Sequence, residues 1–347
     1  MSDKNVLYMI SGSWPPDVCG VGDYMHNLAR ALENIDVSIK RVSLKRYDLL
    51  TLMKTLIVFF LDKNSRLFLS YPTEGFGKSI LPFVFCILNR DRVIIHIHEY
   101  TSKNKYCRFL LRLYRRMSVV YFSNKNDMDA YLKDTRTNNG SRWRVIPSPS
   151  NIAVAYDCSC KKNNKIIHFG QIRPNKGIEV VYDVFSFLSQ NGDFHLCLIG
   201  AVPVGYEEYA DKIRRNFESI GCSVSFNLSA DAISKELADS NYGLFPFPDG
   251  ADERRGSLNA ALNHNVVCLT TYSDRTSVGI KKATYGVDIS SRSPSEYQKD
   301  LSSFFVDNIT QPYDVRDVLD AACVLTESNS FDRIASLVIA DVYGCRV

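Results

Sequence analysis

The sequence predicts an α/β protein built of two domains. Three observations lead to this prediction: the chain has 347 residues, its apolar runs alternate with segments of helical spacing, and a polar stretch interrupts that alternation. A chain of this length is past the size at which one hydrophobic core keeps growing, so two domains are expected. The polar stretch, rich in Lys and Asn, runs from Pro147 to Lys165 and is interpreted as the interdomain linker. Strand and helix patterns resume after it, which is typical of a second α/β domain.

In the first half, short apolar runs predict strands separated by helical patterns. The strands are expected at Val6–Ile10, Val37–Val42, Arg66–Tyr71, Arg92–Tyr100, Val119–Ser123 and Trp143–Ile146. The helical patterns cover Asp23–Leu32, Leu49–Leu61, Ser79–Leu88, Thr101–Tyr121 and Asp127–Lys133.

The second half continues the alternation. Its strands are expected at Ile166–Gly170, Phe194–Gly200, Val224–Asn227, Tyr242–Phe247 and Val266–Thr271. Helices are expected at Ile178–Leu188, Tyr206–Ile220 and Asp231–Ser240, from Gly256 onward, and at Phe331–Tyr343. Between the last strand and the last helix the strand signals weaken.

Composition excludes several classes of protein. A formal net charge of +4 is too small over this length to indicate a nucleic-acid-binding protein, and 45% apolar content is that of a soluble globular chain. The ten cysteines are scattered without a zinc-like Cys-x-x-Cys pair, which favours reduced thiols. The first strand follows so closely on Met1 that no signal peptide is expected, and a cytoplasmic protein is predicted. The apolar stretches Leu49–Leu61 and Ile80–Leu88 are shorter than the roughly 20 residues that span a bilayer, so any membrane contact is expected to be peripheral.

A glycine-rich loop joins the first strand to the first helix. Gly20, Val21 and Gly22 stand at the helix start, where glycines let the backbone approach a ligand closely. The dinucleotide fingerprint fails here because no third glycine follows in place. A simple turn, made by paired glycines beside Pro15 and Pro16, remains the alternative.

Two histidines, His96 and His98, alternate along one predicted strand and are expected on the same side of it. His98 stands at the carboxyl end, where it can face a ligand, whereas His96 fits a structural role better. A metal site would need a third ligand, and the sequence offers none at suitable spacing.

The segment from Thr101 to Tyr121 carries six basic residues and no acidic residue. Apolar residues such as Phe109, Leu113 and Met117 are interleaved at helical spacing. A basic amphipathic helix of this kind suits an anionic membrane surface. The alternative is the solvated face of an ordinary helix.

Basic residues also follow two predicted strands of the second half. Arg173 and Lys176 lie after one strand, and Arg254 and Arg255 precede a helix that opens at Gly256-Ser257 after another. Loops at the carboxyl ends of parallel strands bind ligands, and a helix N-terminus favours an anion. A phosphate site is therefore predicted, with a solvated arginine pair and a helix capped by Ser257 as the alternative.

Several motifs in their order make the chain resemble retaining glycosyltransferases of the GT-B fold, specifically glycosyltransferase family 4. They are Pro15-Pro-x3-Gly-Val-Gly-x-Tyr24, His98-Glu, Gly170-x-Ile-x-Pro-x-Lys-Gly177, the stretch from Phe247 to Asn265, and the final helix. The resemblance covers the chain end to end. It implies two Rossmann-like domains that face each other across a cleft: residues 1–155 on the acceptor side, residues 156–328 for the nucleotide-sugar, and a terminal helix, 329–347, that returns to the first domain.

The resemblance also implies roles for individual residues. Lys176, with Arg173, is expected to neutralise the donor diphosphate, and His98 to lie at the acceptor face near the reacting sugar. The positions expected to bind the donor are Gly20, Val21, Gly22, Gly170, Gln171, Glu253, Arg254, Arg255, Gly256, Ser257 and Asn259. Neither a cofactor nor a metal is implied, since cations and helix N-termini can stabilise the leaving diphosphate.

Two positions depart from the family pattern. Gln171 stands where the family usually has an arginine directly after the glycine. Asn259 stands where a glutamate usually contacts the nucleotide ribose, and Asp249, Asp252 or Glu253 could replace the glutamate that precedes it. An asparagine amide can still bond to a ribose hydroxyl, but without charge.

The function expected from these patterns is transfer of a sugar from a nucleotide-sugar to a glycan acceptor. The acceptor expected by family resemblance is a lipid-linked intermediate of bacterial surface polysaccharide, O-antigen or capsule, reached from the inner face of the plasma membrane. An epimerase or hydrolase of the same fold and a catalytically degenerate subunit are the alternatives. Asn259 favours the degenerate subunit, whereas Lys176 and His98 argue against it.

Overall fold

A computed structural model describes residues 6–17, 19–87, 91–137, 142–158, 161, 164–290, 294–311 and 314–344. The strands are β1 (Val6–Ser11), β2 (Ser38–Ser43), β3 (Arg66–Tyr71), β4 (Val93–Ile97), β5 (Val119–Phe122), β6 (Arg142–Val145), β7 (Lys165–Gln171), β8 (His195–Ala201), β9 (Ser223–Phe226), β10 (Tyr242–Phe245), β11 (Val267–Tyr272) and β12 (Tyr285–Asp288). The α-helices are α1 (Gly20–Glu33), α2 (Leu49–Leu61), α3 (Lys105–Leu111), α4 (Lys125–Thr135), α5 (Ile178–Asn191), α6 (Glu207–Glu218), α7 (Ala230–Ala238), α8 (Gly256–Asn263), α9 (Val278–Ala283), α10 (Pro294–Thr310), α11 (Arg316–Ser328) and α12 (Phe331–Tyr343). Helices of the 3₁₀ type cover Glu74–Phe76, Leu81–Ile87 and Arg112–Arg116.

The chain divides into two compact units. Unit 1 consists of Met1–Pro149 and Asn329–Val347, and unit 2 of Ser150–Ser328. Each contains one six-stranded sheet in which every strand pair is parallel. Because parallel strands are joined by crossovers, helices cover both faces of each sheet.

In unit 1 the strand order is β2-β1-β3-β4-β5-β6. One face packs against α2, α3, α4 and the 3₁₀ helices, in a core that includes Leu52, Phe83 and Leu110. The other face packs against α1 and α12, where Leu28 and Val338 are buried in one cluster. The central strands are therefore apolar along their whole length, as in β4.

Helix α12 is fixed to the sheet of unit 1 by a buried carboxylate as well as by apolar packing. Asp341 is 4% exposed and accepts hydrogen bonds from the Tyr121 hydroxyl at 2.9 Å and from two nitrogens of Arg144, each at 2.8 Å. The bidentate geometry ties the last helix to β5 and β6. At the other end of α12, the Ser330 hydroxyl accepts from the Arg333 N–H.

In unit 2 the strand order is β12-β11-β10-β7-β8-β9. One core cluster includes Leu198, Leu244 and Phe305, and the cluster on the other face includes Phe245 and Leu258. Strand β7 connects through α5 to β8 on one side and pairs with β10 on the other. The boundary between β7 and β10 is thus the topological switch point of the sheet.

The structure corrects several predicted elements. The helix predicted over 101–121 is shorter, because α3 ends at Leu111 and continues as a 3₁₀ helix to Arg116. The buried helix predicted at Ser79–Leu88 is a 3₁₀ helix, Leu81–Ile87, with Leu88 outside the described residues. The region of weak strand signals contains β12 and the three helices α9, α10 and α11. Part of the polar stretch 147–165, at 159–160 and 162–163, also lies outside the described residues.

Candidate active site

The loops that follow β7 and β10 meet at the switch point of unit 2, where open α/β sheets bind ligands. Gly177 makes their contact possible. Its φ is +75°, and a Cβ atom there would lie 2.0 Å from the carbonyl oxygen of Pro246. A side chain at position 177 would separate the two loops, so the glycine brings the residues before it against the loop after β10.

Lys176 is half-buried in this contact. Burial lowers the pKa of its ammonium group, and the positive charges of Arg173 and Arg255 lower that pKa further, while Asp249 opposes them. Within the described ranges, the Lys176 ammonium has no hydrogen bond and no ion pair. An anion placed here would reduce the repulsion among the three cations.

Arg173 is oriented by the residue that departs from the family pattern. The Arg173 Nε atom donates to Oε1 of Gln171 at 3.1 Å. Gln171 ends β7, and the preceding Gly170 pairs with Gly200, where a Cβ atom would lie 2.4 Å from the Gly170 carbonyl oxygen. The Gln171 amide therefore positions the Arg173 guanidinium. In the family pattern, the cation is instead an arginine at the position that Gln171 occupies.

Arg254 and Arg255 are paired with carboxylates of their own loop. Arg254 donates from Nη2 to Asp252 at 2.6 Å and from Nε at 3.1 Å. Arg255 pairs with Asp249, donates to the Gly250 carbonyl at 3.0 Å, and lies over the Phe247 ring at 4.6 Å. Both arginines thus shape the loop, and their predicted contact with a diphosphate stays a prediction.

Asp252 is the anchor of this loop. It is 2% exposed. Burial favours its neutral form, but the hydrogen bonds and charge of Arg254 outweigh burial, so the pKa of Asp252 lies below its usual value. The carboxylate is ionised at neutral pH and fixes the Arg254 guanidinium.

Helix α8 starts at Gly256, with Arg255 as its N-cap residue. Ser257 lies inside the first turn, so the alternative in which it caps the helix is wrong. Among the described residues, no side chain caps this N-terminus from the N-cap position. The space beside Gly256 is open, since a Cβ atom there would meet nothing within 4 Å. The Gly256 N–H donates to the Arg254 carbonyl at 3.0 Å, and the N–H groups that follow it in the first turn suit an anion.

Asn259 is turned toward the loop rather than toward solvent. It is 8% exposed, and its Nδ2 atom donates to the Glu253 carbonyl at 3.3 Å. Glu253 is half-buried, and burial raises the pKa of its carboxyl group. The ribose contact predicted for Asn259 stays untested, and the structure gives this amide a second role in holding the loop.

In unit 1 the loops after β1 and β3 are joined in a similar way. The Gly12 N–H donates to the Thr73 hydroxyl at 3.0 Å, and the Gly75 N–H donates to the Ser13 hydroxyl at 2.9 Å. A Cβ atom on Gly75 would lie 1.6 Å from the Gly12 carbonyl oxygen. Strands β1 and β3 are neighbours at the switch point of this sheet, so two glycines allow the loops after them to touch.

Helix α1 begins at Gly20, three residues before the predicted start. Gly20 is exposed with open space around it, whereas a Cβ atom on Gly22 would lie 2.9 Å from the Ser13 carbonyl oxygen. The glycine pair thus opens a helix and is not a simple turn. Val21, between the two glycines, is half-exposed. Contact of these three residues with a donor remains a prediction.

His98 is buried at 5% exposure, just past the end of β4. Its Nε2 lies 2.6 Å from the Ser70 hydroxyl and its Nδ1 3.1 Å from the Ser123 hydroxyl. Burial lowers the pKa of His98 to about 3, so the ring is neutral at neutral pH. His96 and His98 share one side of β4, as predicted, with ring centroids 4.0 Å apart.

The sequence predicts that His96 fits a structural role better than His98, but the hydrogen bonds of the two rings show the opposite. Both ring nitrogens of His98 have hydroxyl partners, whereas among the described residues Nδ1 of His96 has none. The edge of the Tyr24 ring contacts both imidazoles, with centroids 5.1 Å from His96 and 4.9 Å from His98. His98 is therefore the satisfied histidine, and it links the loop after β4 to the start of α1.

No model of a protein family matches the chain, and no curated protein matches it. Solved structures do match along nearly its whole length. The HepE protein of Anabaena, in complex with UDP, is 14% identical with a TM-score of 0.63, covering 98% of this chain and 99% of the other. Sucrose-phosphate synthase of Thermosynechococcus elongatus is 13% identical with a TM-score of 0.65, covering 98% of both chains. A glycosyltransferase of Rickettsia africae is 10% identical with a TM-score of 0.63, covering 99% of this chain and all of the other.

The chain has the GT-B fold. The predicted fold class is thereby confirmed. At these identities the likeness concerns the fold alone, and membership of family 4 stays a prediction.

Within the GT-B fold, the structure brings together the predicted cations of unit 2 and places the unit 1 residues after the carboxyl ends of β1 and β4. Sequence reasoning missed the partners that hold them: Ser70 and Ser123 for His98, and Pro246 for Gly177. The glycine after Lys176 was the available signal for the loop contact. Hydroxyl partners on neighbouring strands leave no such pattern along the chain.

A cavity of about 620 Å³ lies elsewhere in unit 2. Its lining includes Lys161, Asp320 and Cys323, together with Tyr242 and Val267, which begin β10 and β11. It is therefore at the amino ends of the strands, opposite to the loops described above. In the described part of the chain, no three His, Cys, Asp or Glu side chains are grouped to hold a metal.

Proposed function

We propose that the protein is a retaining, metal-independent glycosyltransferase that moves a sugar from a nucleotide-sugar to a glycan acceptor. The proposed acceptor is a lipid-linked intermediate of bacterial surface polysaccharide synthesis, O-antigen or capsule. The observation that carries the proposal is the ammonium group of Lys176. The charges of Arg173 and Arg255 repel it, and it has no anionic partner within hydrogen-bond or ion-pair distance in the described chain.

The GT-B neighbours support a nucleotide-sugar as the donor. HepE has been crystallised with UDP and with UDP and glucose, and pneumococcal GtfA, an O-GlcNAc transferase, with UDP and GlcNAc. In this chain a diphosphate would bind to Lys176 and to the uncapped first turn of α8. The loops after β7 and β10 supply both groups.

The chemical step requires stabilisation of the leaving diphosphate. As the glycosidic bond breaks, negative charge grows on the oxygen that leaves, and a fixed cation interacts with it more strongly than with the donor. The half-buried Lys176 suits this role because limited solvation strengthens the interaction. In the retaining mechanism that the family resemblance implies, the leaving phosphate also assists the attack of the acceptor hydroxyl.

His98 contributes in this proposal as a neutral group. With its pKa lowered to about 3 and its nitrogens bonded to Ser70 and Ser123, it does not act as a cation at neutral pH. It positions the loop after β4 and the start of α1, which carries Gly20 and Gly22. The first domain would present the acceptor through these elements.

Replacement of Lys176 tests the proposal. A thermal-shift screen with UDP, GDP, ADP and their sugars first identifies the nucleotide, because a ligand that binds only the folded state raises the melting temperature. Lys176→Ala is then expected to lower kcat by about 100-fold or more, the effect of removing one group that stabilises developing charge. Lys212→Ala, an exposed lysine on α6, is the matched control and should leave kcat unchanged.

Several outcomes would contradict the proposal. Near wild-type turnover by Lys176→Ala would show that the lysine does not stabilise the leaving diphosphate. Loss of turnover in EDTA would show that the reaction needs a metal ion. Conversion of the donor at full rate without acceptor would favour an epimerase or hydrolase, and failure to bind any nucleoside diphosphate by calorimetry would favour a degenerate subunit.

A further inference from the structure

Helix α2 is apolar on nearly all sides, but unit 1 covers only one of them. Leu52, Thr55 and Phe59 are buried. Seven other apolar side chains are between 40% and 80% exposed: Leu49, Leu50, Met53, Ile57, Val58, Phe60 and Leu61. A helix that is apolar all round is normally covered on every side. Such a contiguous exposed surface marks an interaction site.

Three basic and two acidic residues lie on or beside this helix, and the acidic ones are its two cap residues, Asp48 and Asp62. Lys54 is the only charged residue between Leu49 and Leu61, and it is exposed. Arg46 and Lys63, which flank the helix, are exposed as well. The Asp48 carboxylate accepts the Thr51 N–H, and the Asp62 carboxylate accepts the N–H groups of Asn64 and Ser65, so both are used locally.

An exposed aromatic residue precedes the helix. Tyr47 is 76% exposed, and the Arg46 guanidinium lies over its ring at 4.7 Å. Tyrosine and arginine side chains of this kind are typical of the boundary between lipid and water, where an apolar ring and a polar tip are both solvated well.

Further exposed apolar side chains lie on the same face of the unit 1 sheet. Ile80, Tyr106, Phe109 and Leu113 are each more than 40% exposed. Their segments and α2 pack against one core cluster, in which Phe59 and Tyr114 are buried. The exposed sides of these segments therefore belong to the covering layer of one sheet face.

We propose that the exposed side of α2 inserts into the surface of an anionic lipid bilayer. The helix has 13 residues, whereas about 20 are needed to cross the hydrocarbon core, so α2 lies in the plane of the membrane. No helix in the described chain is both long and apolar enough to cross a membrane. Burial of the apolar side chains drives insertion, while Arg46, Lys54 and Lys63 contact lipid phosphates.

A second copy of the chain fits this surface less well. A two-fold interface would place the same patch against itself and bring together Lys54, Arg46 and Lys63 from both copies. Like charges at an interface oppose association, whereas the same charges attract anionic lipid. The inference extends the proposed function, in which the acceptor is lipid-linked. It rests on that function only for the biological purpose of membrane binding.

Vesicle flotation of the full chain tests the inference without donor or acceptor. The wild type is compared on phosphatidylcholine vesicles with and without about one third phosphatidylglycerol. Leu50→Gln/Ile57→Gln/Leu61→Gln is expected to lower the partition coefficient by about 100-fold or more, since each buried apolar side chain contributes about tenfold.

The matched control replaces exposed valines of unit 2, Val204→Gln/Val278→Gln/Val324→Gln, and should bind vesicles as the wild type does. Equal flotation of the α2 variant and the wild type, or no flotation of the wild type, overturns the inference. A wild-type dimer in lipid-free light scattering that the α2 variant converts to a monomer also overturns it, in favour of a second copy. Nucleoside diphosphate affinity, measured in both variants, reports separately on the proposed catalytic function.

Discussion

The contact between Gly177 and Pro246 offers a sharp test of how the candidate site is held together. Gly177 has a left-handed φ of +75°, and a Cβ atom there would lie 2.0 Å from the Pro246 carbonyl oxygen. Gly205 has φ +87° but open space around it, so it shares the positive φ without the close approach. The pair of variants Gly177→Ala and Gly205→Ala separates the two effects.

The magnitudes follow from these geometries. An alanine in the left-handed region costs about 1–2 kcal/mol, and this applies to both variants. At position 177 the two loops must also move apart, which adds about 1–3 kcal/mol as in other overpacked sites. For a domain of this size each kcal/mol of lost unfolding free energy lowers Tm by about 2–4 °C. We therefore expect Gly177→Ala to melt about 2–12 °C below Gly205→Ala.

Calorimetry with a nucleoside diphosphate completes the assay. Because Lys176 precedes Gly177, separation of the loops moves the ammonium away from Arg255 and should weaken binding by about tenfold, while Gly205→Ala binds as the wild type does. Equal melting temperatures for the two variants, within about 2 °C of each other, would refute the argument from close approach. Normal affinity in a destabilised Gly177→Ala would show that the loop contact does not position the lysine.

Two further predictions concern unit 1. Because burial lowers the pKa of His98 to about 3 in the folded state, its contribution to stability is complete above the unfolded pKa of about 6.5 and is lost as the pH falls from there toward 3. Between pH 7 and pH 5, urea unfolding should show that this group's contribution to the free energy of unfolding falls by up to about 2 kcal/mol. His98→Gln should make the free energy of unfolding depend less steeply on pH. An unchanged pH dependence would contradict the lowered pKa of His98. On the exposed side of the 3₁₀ helix, Arg115→Glu/Arg116→Glu should weaken flotation on anionic vesicles at least about tenfold with no change on neutral ones. Recovery equal to the wild type would leave the basic segment 101–121 without a membrane role.

The fold was predictable because its signals are local. Apolar runs such as Val93–Ile97 are buried on both sides, so they predict strands of a parallel sheet directly. The segment 101–121 was misjudged in length because helical spacing continues through Arg112–Arg116, where the backbone tightens to a 3₁₀ helix that buries Tyr114. In α9 and α11 the runs of apolar residues are short or interrupted by polar residues, so the sequence pattern for these helices is weak. The two helices pack against each other, and this contact stabilises both.

The candidate site was predictable in its cations but not in their pairing. Lys176 and Arg255 follow predicted strands and could be placed at one sheet edge by topology alone. Which carboxylate each arginine would contact depends on the turn at Gly250, whose φ is +83° and which packs against Ser273. Contacts between residues distant in sequence set this backbone geometry. The sequence pattern therefore predicts that these residues lie in one loop, but not which arginine bonds to which carboxylate.

The pairing changes how the site would act in the proposed reaction. Four basic residues, Arg173, Lys176, Arg254 and Arg255, meet three acidic residues, Asp249, Asp252 and Glu253, so basic residues are in excess in the two loops. Because the carboxylates hold Arg254 and Arg255 in place, the loop need not reorganise when a diphosphate binds. In the described part of the chain, neither Lys176 nor Arg173 has a carboxylate at ion-pair distance, and the repulsion of Lys176 from Arg173 and Arg255 is relieved most when negative charge is greatest. That moment is bond cleavage rather than donor binding, so the arrangement favours the transition state over the ground state.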